Sequence, residues 1–148
     1  MNPKLIILLV VVLASCTASV TQAPPPSPIT GTWKLLSGTL IEKGDTTITD
    51  YTKGQSFIKI INNTHFAFLL HGTDTVSVYS SGGGKYTLAG DNYTEHLEYC
   101  SDRQWEGHDF SFKITVRNDT LIQQGIEEVA SAGVSRMNIE KYVKVSAP

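Results

Sequence analysis

Apolar and polar residues alternate with a period of two along most of the chain after residue 29. The clearest run spans residues 110–117, where phenylalanine, isoleucine and valine alternate with serine, lysine, threonine and arginine. Alternation of this kind predicts β-strands that bury one face and expose the other. This pattern, together with β-branched and aromatic content, predicts strands at residues 46–49, 57–61, 66–70, 76–79, 93–99, 110–117 and 121–126.

Short segments rich in glycine, asparagine and aspartate separate these runs. Residues 43–45, 89–92 and 117–119 are examples, and their composition suits hairpin turns. Residues 127–136 are the one segment where a helical turn is considered, with a loop as the alternative. Roughly eight to ten short strands joined by hairpins favour a barrel over a sandwich, because closure removes the sheet edges. The expected fold is therefore all-β, an antiparallel up-and-down barrel of about eight strands.

The N-terminal segment has the features of an export signal. Lys4 precedes an apolar run of ten residues, 5–14, whereas a transmembrane helix needs about 20. We therefore predict a signal peptide at residues 1–15 rather than a membrane span. Residues 13–16, Leu-Ala-Ser-Cys, resemble the lipobox of bacterial lipoproteins, which implies acylation of Cys16. A plain signal peptide that happens to precede a cysteine is the alternative.

The lipobox resemblance also predicts where the protein resides. Acyl chains on Cys16 would anchor it stably in a membrane. Thr17 stands where an aspartate would resemble an inner-membrane retention signal, and residues 17–20 contain no acidic cluster. We therefore expect the outer membrane, with its periplasmic face favoured over the cell surface. A proline-rich tether at residues 16–28 is expected to separate this anchor from a single barrel domain at residues 29–145.

Composition narrows the range of partners. Lysine and arginine number 12 against 14 aspartates and glutamates, for a formal net charge of -2. This balance argues against a nucleic-acid-binding surface. Two cysteines cannot form a disulfide-rich scaffold, and with Cys16 acylated only Cys100 remains free. The expected partners are the membrane, through the acyl chains on Cys16, and a small hydrophobic ligand, with the protein itself a monomer.

Four stretches together resemble lipocalin-like (calycin-type) lipoprotein domains of Bacteroidetes-type bacteria, and the resemblance covers nearly all of residues 29–145. The chain departs from the family pattern at Tyr142, where a tryptophan is usual, and at Lys144, where an arginine is usual. The four stretches are the Gly-x-Trp motif of Gly31 and Trp33, residues 83–99, residues 119–125 and residues 140–145.

The resemblance implies a lipocalin-like barrel, a fold with room for one small ligand or for its own side chains. Trp33, two residues after Gly31, would close one end of the barrel. Lys144 would lie across the face of the Trp33 ring, where a cation contributes about 0.5–2 kcal/mol. Gly31, Trp33 and Lys144 are therefore expected to be structural residues.

Glu95 is the main candidate for a ligand contact. It shares a predicted strand face with Tyr93, Leu97 and Tyr99, and this face is expected to point into the barrel. A buried carboxylate must be paired, hydrogen-bonded or neutral. Glu95 is therefore either a contact for a ligand's polar group or a hydrogen-bond partner for a tyrosine. Other expected pocket residues are Tyr86, Phe110 and Phe112, with Gln123, Glu140 and Tyr142 added by the resemblance.

Trp105 lies in a polar segment, residues 101–107. A tryptophan in such a segment either lines the rim of a cavity or folds onto the barrel as a cap. We include it among the candidate ligand-binding residues on the first interpretation.

The sequence contains no recognisable catalytic motif. Residues 82–85, Gly-Gly-Gly-Lys, lack the Ser or Thr that follows the lysine of a phosphate loop, and we interpret them as a hairpin turn. No Gly-x-Ser-x-Gly elbow is present. His96 and Glu98 share a strand face, but solvated outer residues explain them more simply than a metal site. We therefore expect no enzyme, cofactor or metal.

The function predicted from these features is the binding of a small, largely apolar molecule inside the barrel. The alternative is a barrel filled by its own side chains. Such a barrel would act as a structural module of the cell envelope, or as one that contacts proteins or glycans. An open cavity favours the first function, and a solid core favours the second.

Overall fold

The computed structural model describes residues 27–73 and 77–146. The predicted signal peptide, Cys16 and most of the tether lie outside these residues. No helix in the described part is long and apolar enough to cross a membrane. Two short 3-10 turns, Arg103–Trp105 and Ala130–Ala132, accompany the strands. The strands are β1 (Gly31–Glu42), β2 (Asp45–Asp50), β3 (Gln55–Ile61), β4 (His65–Gly72), β5 (Tyr79–Ala89), β6 (Asn92–Cys100), β7 (Asp109–Arg117), β8 (Thr120–Val129) and β9 (Val134–Lys144).

The strands form a closed antiparallel barrel. From β3 to β9 each strand pairs with the next, and β9 pairs with β1 to close the sheet. On its other edge, β1 pairs with β3 along residues 31–34 and with β2 along residues 37–42. The segments β2 and β3 thus share one strand position, interrupted at residues 51–54, and the barrel has eight positions. The predicted all-β, antiparallel, lipocalin-like barrel is confirmed.

One end of the barrel, here called the closed end, is filled by side chains. It contains the start of β1 and the end of β9. Trp33 is 0% exposed, and its Nε1 donates a hydrogen bond to the carbonyl oxygen of Ile29 over 2.7 Å. Lys144 Nζ lies 5.4 Å from the centroid of the Trp33 ring, in the position that the resemblance implied. Gly31 adopts a φ of +142°, with the Lys144 side chain directly beside it.

The glycines at positions 82–84 do not form a turn, and this prediction is wrong. They lie inside β5, between β4 and β6. A Cβ on Gly83 would come within 2.5 Å of the carbonyl oxygen of Phe66, and one on Gly84 would overlap the carbonyl oxygen of His96. Neighbouring backbones approach too closely here for side chains, so the glycines are a packing requirement of the strand.

The glycine segment also changes which way β6 faces. The register between β5 and β6 shifts between Gly83 and Gly84, so that Gly83 pairs with Tyr99 and Gly84 with Leu97, which leaves Glu98 unpaired. One extra residue in a strand reverses the direction of the side chains that follow it. Tyr99 is therefore 69% exposed, and its predicted place inside the barrel is wrong.

Two further predictions of local structure are corrected. Residues 127–136 form the end of β8, the 3-10 turn Ala130–Ala132 and the start of β9, so most of this segment is a hairpin. Gly133, in a left-handed conformation, ends the turn. The strand predicted at residues 76–79 begins only at Tyr79 in the described part, and residues 74–76 lie outside it.

Candidate functional site

A cavity of about 330 Å³ opens at the end of the barrel opposite the closed end. Pockets that hold small molecules start at about 300 Å³, so the volume suits a small ligand. The inward positions of five strands supply most of its apolar wall. The apolar and aromatic residues of the wall are Leu40, Tyr51, Phe57, Phe68, Leu97, Trp105, Phe110 and Phe112.

The Trp105 side chain lies beside this cavity. The 3-10 turn after β6 places its ring 5.6 Å from that of Phe110. The guanidinium of Arg136 lies 5.3 Å from the Trp105 ring, and Arg136 Nε donates to Glu127 Oε2 over 2.8 Å. Trp105 therefore lines the cavity and also packs onto the barrel, so both interpretations of its position stay open.

The floor of the cavity is polar and consists of Lys59, Glu95, Gln123 and Glu140, here called the floor cluster. The Lys59 Nζ donates to Glu95 Oε1 over 2.7 Å and to Gln123 Oε1 over 3.1 Å. Its distance to Glu140 Oε2 is 3.8 Å. These four side chains come from β3, β6, β8 and β9, so the cluster joins opposite walls of the barrel.

Because the floor cluster is buried, the ionisation of Lys59 and the ionisation of Glu95 depend on each other. Lys59 is 2% exposed and Glu95 is 7% exposed. Burial alone would lower the pKa of Lys59, but the Glu95 and Glu140 carboxylates outweigh it and raise that pKa above its usual range. Burial raises the pKa of Glu95, and the Lys59 ammonium only partly opposes this. The carboxylates therefore favour the charged form of Lys59, whereas burial of Glu95 makes its charged form dependent on Lys59.

Two tyrosines lie between the floor cluster and the closed end. The Tyr142 hydroxyl donates to Glu140 Oε2 over 2.7 Å, and the Tyr142 ring faces the Lys59 Nζ at 5.3 Å. The Tyr93 hydroxyl is buried beside the Glu95 carboxyl group, but without a hydrogen bond of good geometry to a described residue. Burial raises the pKa of both tyrosines, and neighbouring Glu95 and Glu140 raise it further. Both hydroxyls therefore remain protonated at neutral pH.

Most of the candidate ligand-binding residues come together around the cavity. Tyr93 and Tyr142 are buried below the floor cluster, and Tyr86 lies at the side, where its hydroxyl donates to the carbonyl oxygen of Asn62 over 2.8 Å. Tyr99 lies on the outside, as described above. The candidates that line the cavity are Glu95, Leu97, Trp105, Phe110, Phe112, Gln123 and Glu140.

Sequence reasoning missed Lys59, which is the centre of the floor cluster. The partner of Glu95 is this lysine, whereas the prediction offered a ligand or a tyrosine. A signal was present, because Phe57, Lys59 and Ile61 occupy alternate positions of one strand. Two hydrophobic neighbours on the same face indicate an inward lysine. Asn138 and Arg136 of β9 were also missed and line the cavity.

The outer histidine considered for a metal has another partner. His96 Nδ1 lies 2.8 Å from Asp109 Oδ1 on the neighbouring strand β7. Within residues 27–73 and 77–146, no group of three or more histidine, cysteine, aspartate or glutamate side chains is arranged to hold a metal ion. Cys100 is a free, partly buried thiol at the edge of the cavity, and burial raises its pKa.

Three solved protein chains are similar to this chain in structure. No protein-family profile and no curated protein sequence matches the chain. Among solved structures, the chain is similar to a mutant of the fluorescent protein UnaG, with a TM-score of 0.41 and 9% sequence identity. The match covers 80% of this chain and 97% of that one.

Proposed function

We propose that the barrel binds a small, largely apolar molecule through the cavity at its open end. The observation that carries this proposal is the division of the cavity into an aromatic wall and a polar floor. Pockets for small molecules combine such apolar walls with a few placed polar groups. The apolar part of an occupant would contact rings such as Phe57 and Phe110, and its polar end would reach the floor cluster.

The alternative is a barrel filled by its own side chains, and this filling is seen only at the closed end. There Trp33, Ile61 and Tyr142 leave almost no exposed surface. Towards the mouth, glycine and serine at inward positions keep the barrel open, since Gly38 and Ser80 both line the cavity. The open half therefore favours ligand binding over a purely structural or interaction module.

Native mass spectrometry of the chain from residue 17 onward, secreted into a bacterial periplasm, tests this proposal. We expect an added mass of a few hundred daltons that is lost on denaturation, and its fragments would identify the ligand. Every strand of the described residues lies between Gly31 and Lys144, so this shortened chain keeps the whole described barrel. Ser80→Trp should abolish the added mass by filling the mouth of the cavity.

A matched control comes from the same strand. Thr87 is exposed on β5, and Thr87→Trp should keep the added mass. A bare mass for the wild-type protein, together with no binding of added amphiphiles, would contradict the proposal. It would favour the interaction module, which crosslinking to envelope proteins would then examine.

We also propose that the chain is an envelope lipoprotein anchored in the outer membrane through Cys16, with the barrel in the periplasm. The support is in the sequence, where an apolar run at residues 5–14 leads into the Leu-Ala-Ser-Cys stretch at residues 13–16. The tether that follows would hold the barrel away from the bilayer. An anchored binding protein of this kind would keep its ligand within the envelope.

Lipid labelling of the full chain tests the anchor. In a Gram-negative host fed radioactive palmitate, the wild-type protein should carry label and sediment with the outer membrane. Cys16→Ala should lose both properties, because the acylated thiol is gone, whereas Cys100→Ala should keep them. A Cys16→Ala protein that is still labelled and still sediments with the membrane would show that Cys16 is not the anchor.

A further inference from the structure

Acidic side chains outnumber basic side chains in the lining of the cavity. Two are basic, Lys59 and Arg136, and four are acidic, so the lining carries an excess of carboxylates. Both basic groups already have carboxylate partners, since Lys59 pairs with Glu95 and Arg136 with Glu127. The acidic residues are Glu95, Asp102, Glu127 and Glu140. The net charge of the lining is therefore negative.

Most of the donor capacity of Lys59 is used within the protein. An ammonium group has three N–H donors. Two of them point to Glu95 Oε1 and Gln123 Oε1, at 2.7 and 3.1 Å, and Glu140 Oε2 lies within ion-pair distance at 3.8 Å. A carboxylate from a ligand would have to compete with Glu140 for the one donor that is left. The lysine thus offsets part of the negative charge of the floor cluster and has little capacity left for an anion.

Acceptor capacity, in contrast, is left over in the floor cluster. Each carboxylate has two oxygens and about four acceptor positions. Glu140 Oε2 accepts from the Tyr142 hydroxyl. For Glu140 Oε1, no described residue supplies a hydrogen bond, and the Glu140 side chain lines the cavity. This oxygen is available to a donor that arrives from the mouth.

The electrostatic consequence depends on the ligand's polar group. A carboxylate on the floor would lie beside two buried carboxylates, and repulsion between like charges is strong where water is excluded. An ammonium group would make a charge-assisted hydrogen bond with Glu140 Oε1, which is shorter and stronger than a neutral one. Asp102, which also lines the cavity, adds to the negative potential that would attract a cation, whereas the charge of Glu127 is balanced by Arg136.

We propose that the cavity selects amphiphiles whose polar end is a cationic hydrogen-bond donor, an organic amine, and that it discriminates against amphiphiles ending in a carboxylate. The inference rests on the proposed ligand-binding function and specifies the chemistry of that same site. Glu140 Oε1 is the principal acceptor, since Glu95 is already held by Lys59. A neutral alcohol, which can both donate and accept, lies between the two extremes.

Isothermal titration calorimetry with decylamine, decanol and decanoate tests this selectivity on the chain from residue 17 onward. The three probes share one alkyl chain and differ only in the polar group. At pH 7 and low salt, we expect decylamine to bind at least about tenfold more tightly than decanoate, with decanol between them. Added salt should reduce the advantage of the amine, because part of it is electrostatic.

Variants at matched positions separate selectivity from folding. Glu140→Gln should weaken decylamine binding by about fivefold or more and leave decanol within about twofold. Glu128→Gln, on the exposed face of β8, should change neither. Glu140 suits this test because its distance to the Lys59 Nζ is 3.8 Å, longer than that of Glu95. Thermal melting of each variant verifies that the barrel is folded.

The outcomes separate the two proposals. Decanol binding with decanoate equal to or tighter than decylamine would overturn the selectivity and leave the cavity as a ligand site. Decylamine preference that Glu140→Gln does not reduce would also overturn it, because the acceptor would lie elsewhere. Failure of all three probes to bind would overturn the selectivity and remove the support for the ligand site as well.

Discussion

Replacement of Lys59 by methionine should lower the free energy of unfolding by about 3–5 kcal/mol, because it leaves buried carboxylates without their counter-charge. Lys59 is 2% exposed and lies 2.7 Å from Glu95 Oε1. Methionine has similar length and keeps most of the apolar contacts of the lysine stem. The loss therefore reports the unpaired charge rather than a cavity. Urea unfolding, followed by circular dichroism, measures it.

Two further variants serve as controls for this measurement. Lys113 forms an exposed pair with Asp91 at 2.8 Å, nearly the same distance as the buried pair. Lys113→Met should cost less than about 1 kcal/mol, as exposed pairs do. The double variant Lys59→Met, Glu95→Gln should recover part of the loss, because it removes a buried charge together with its partner. Equal losses for Lys59→Met and Lys113→Met would contradict the role assigned to the floor cluster.

The difference in unfolding free energy between the wild-type protein and Lys59→Met should depend on pH. The pKa of Lys59 is raised above its usual 10.5 in the folded protein. Its stabilising contribution is therefore complete below pH 10.5 and is lost as the pH rises through the folded-state pKa. Buried Tyr93 and Tyr142 also destabilise the fold at high pH, but they do so in both proteins. The difference between wild type and Lys59→Met should consequently narrow above about pH 10.5.

The alternation of residues was sufficient to predict the barrel. On β7, the alternate residues Phe110, Phe112 and Ile114 are buried as expected. On β8, the choice of Gln123 over Gln124 as the inward glutamine depended on the family pattern, and Gln123 is 1% exposed. A period of two identifies the faces of a strand, and hydrophobic content identifies which face is buried.

Tyr99 shows the limit of this reasoning. Its face follows from Tyr93 and Leu97 only while β6 is regular, and the extra residue of β6, Glu98, lies opposite Gly83 and Gly84 of the neighbouring strand. Backbone atoms approach closely across the sheet at this place, which leaves no room for side chains at these glycines. A periodicity read along one strand does not contain that information.

The floor cluster could be predicted only in part for a related reason. Glu95 was identifiable as an inward carboxylate, but its partner is 36 residues away in the sequence, and Gln123 is 64 residues from Lys59. An inward charge signals that a partner must exist. Which residue supplies it depends on barrel closure, which brings together positions on strands that are far apart along the chain.

The two tryptophans of the chain should separate stability from binding. Trp33→Ala should lower the free energy of unfolding by about 3–5 kcal/mol, because the ring is 0% exposed at the closed end. Trp105→Ala should cost only about 1–2 kcal/mol, since the ring is half-buried beside the cavity and contacts Phe110 and Arg136. Urea unfolding of both variants checks this order.

Binding should show the reverse order. Trp105→Ala removes part of the apolar wall, so decanol should bind about fivefold more weakly. A milder closed-end variant keeps the comparison possible if Trp33→Ala fails to fold. Trp33→Phe loses the hydrogen bond to Ile29, at about 1–2 kcal/mol, and should bind decanol within about twofold of wild type. If Trp33→Phe bound decanol more weakly than Trp105→Ala, the ligand would lie near the closed end of the barrel. That result would contradict the proposed site at the open end.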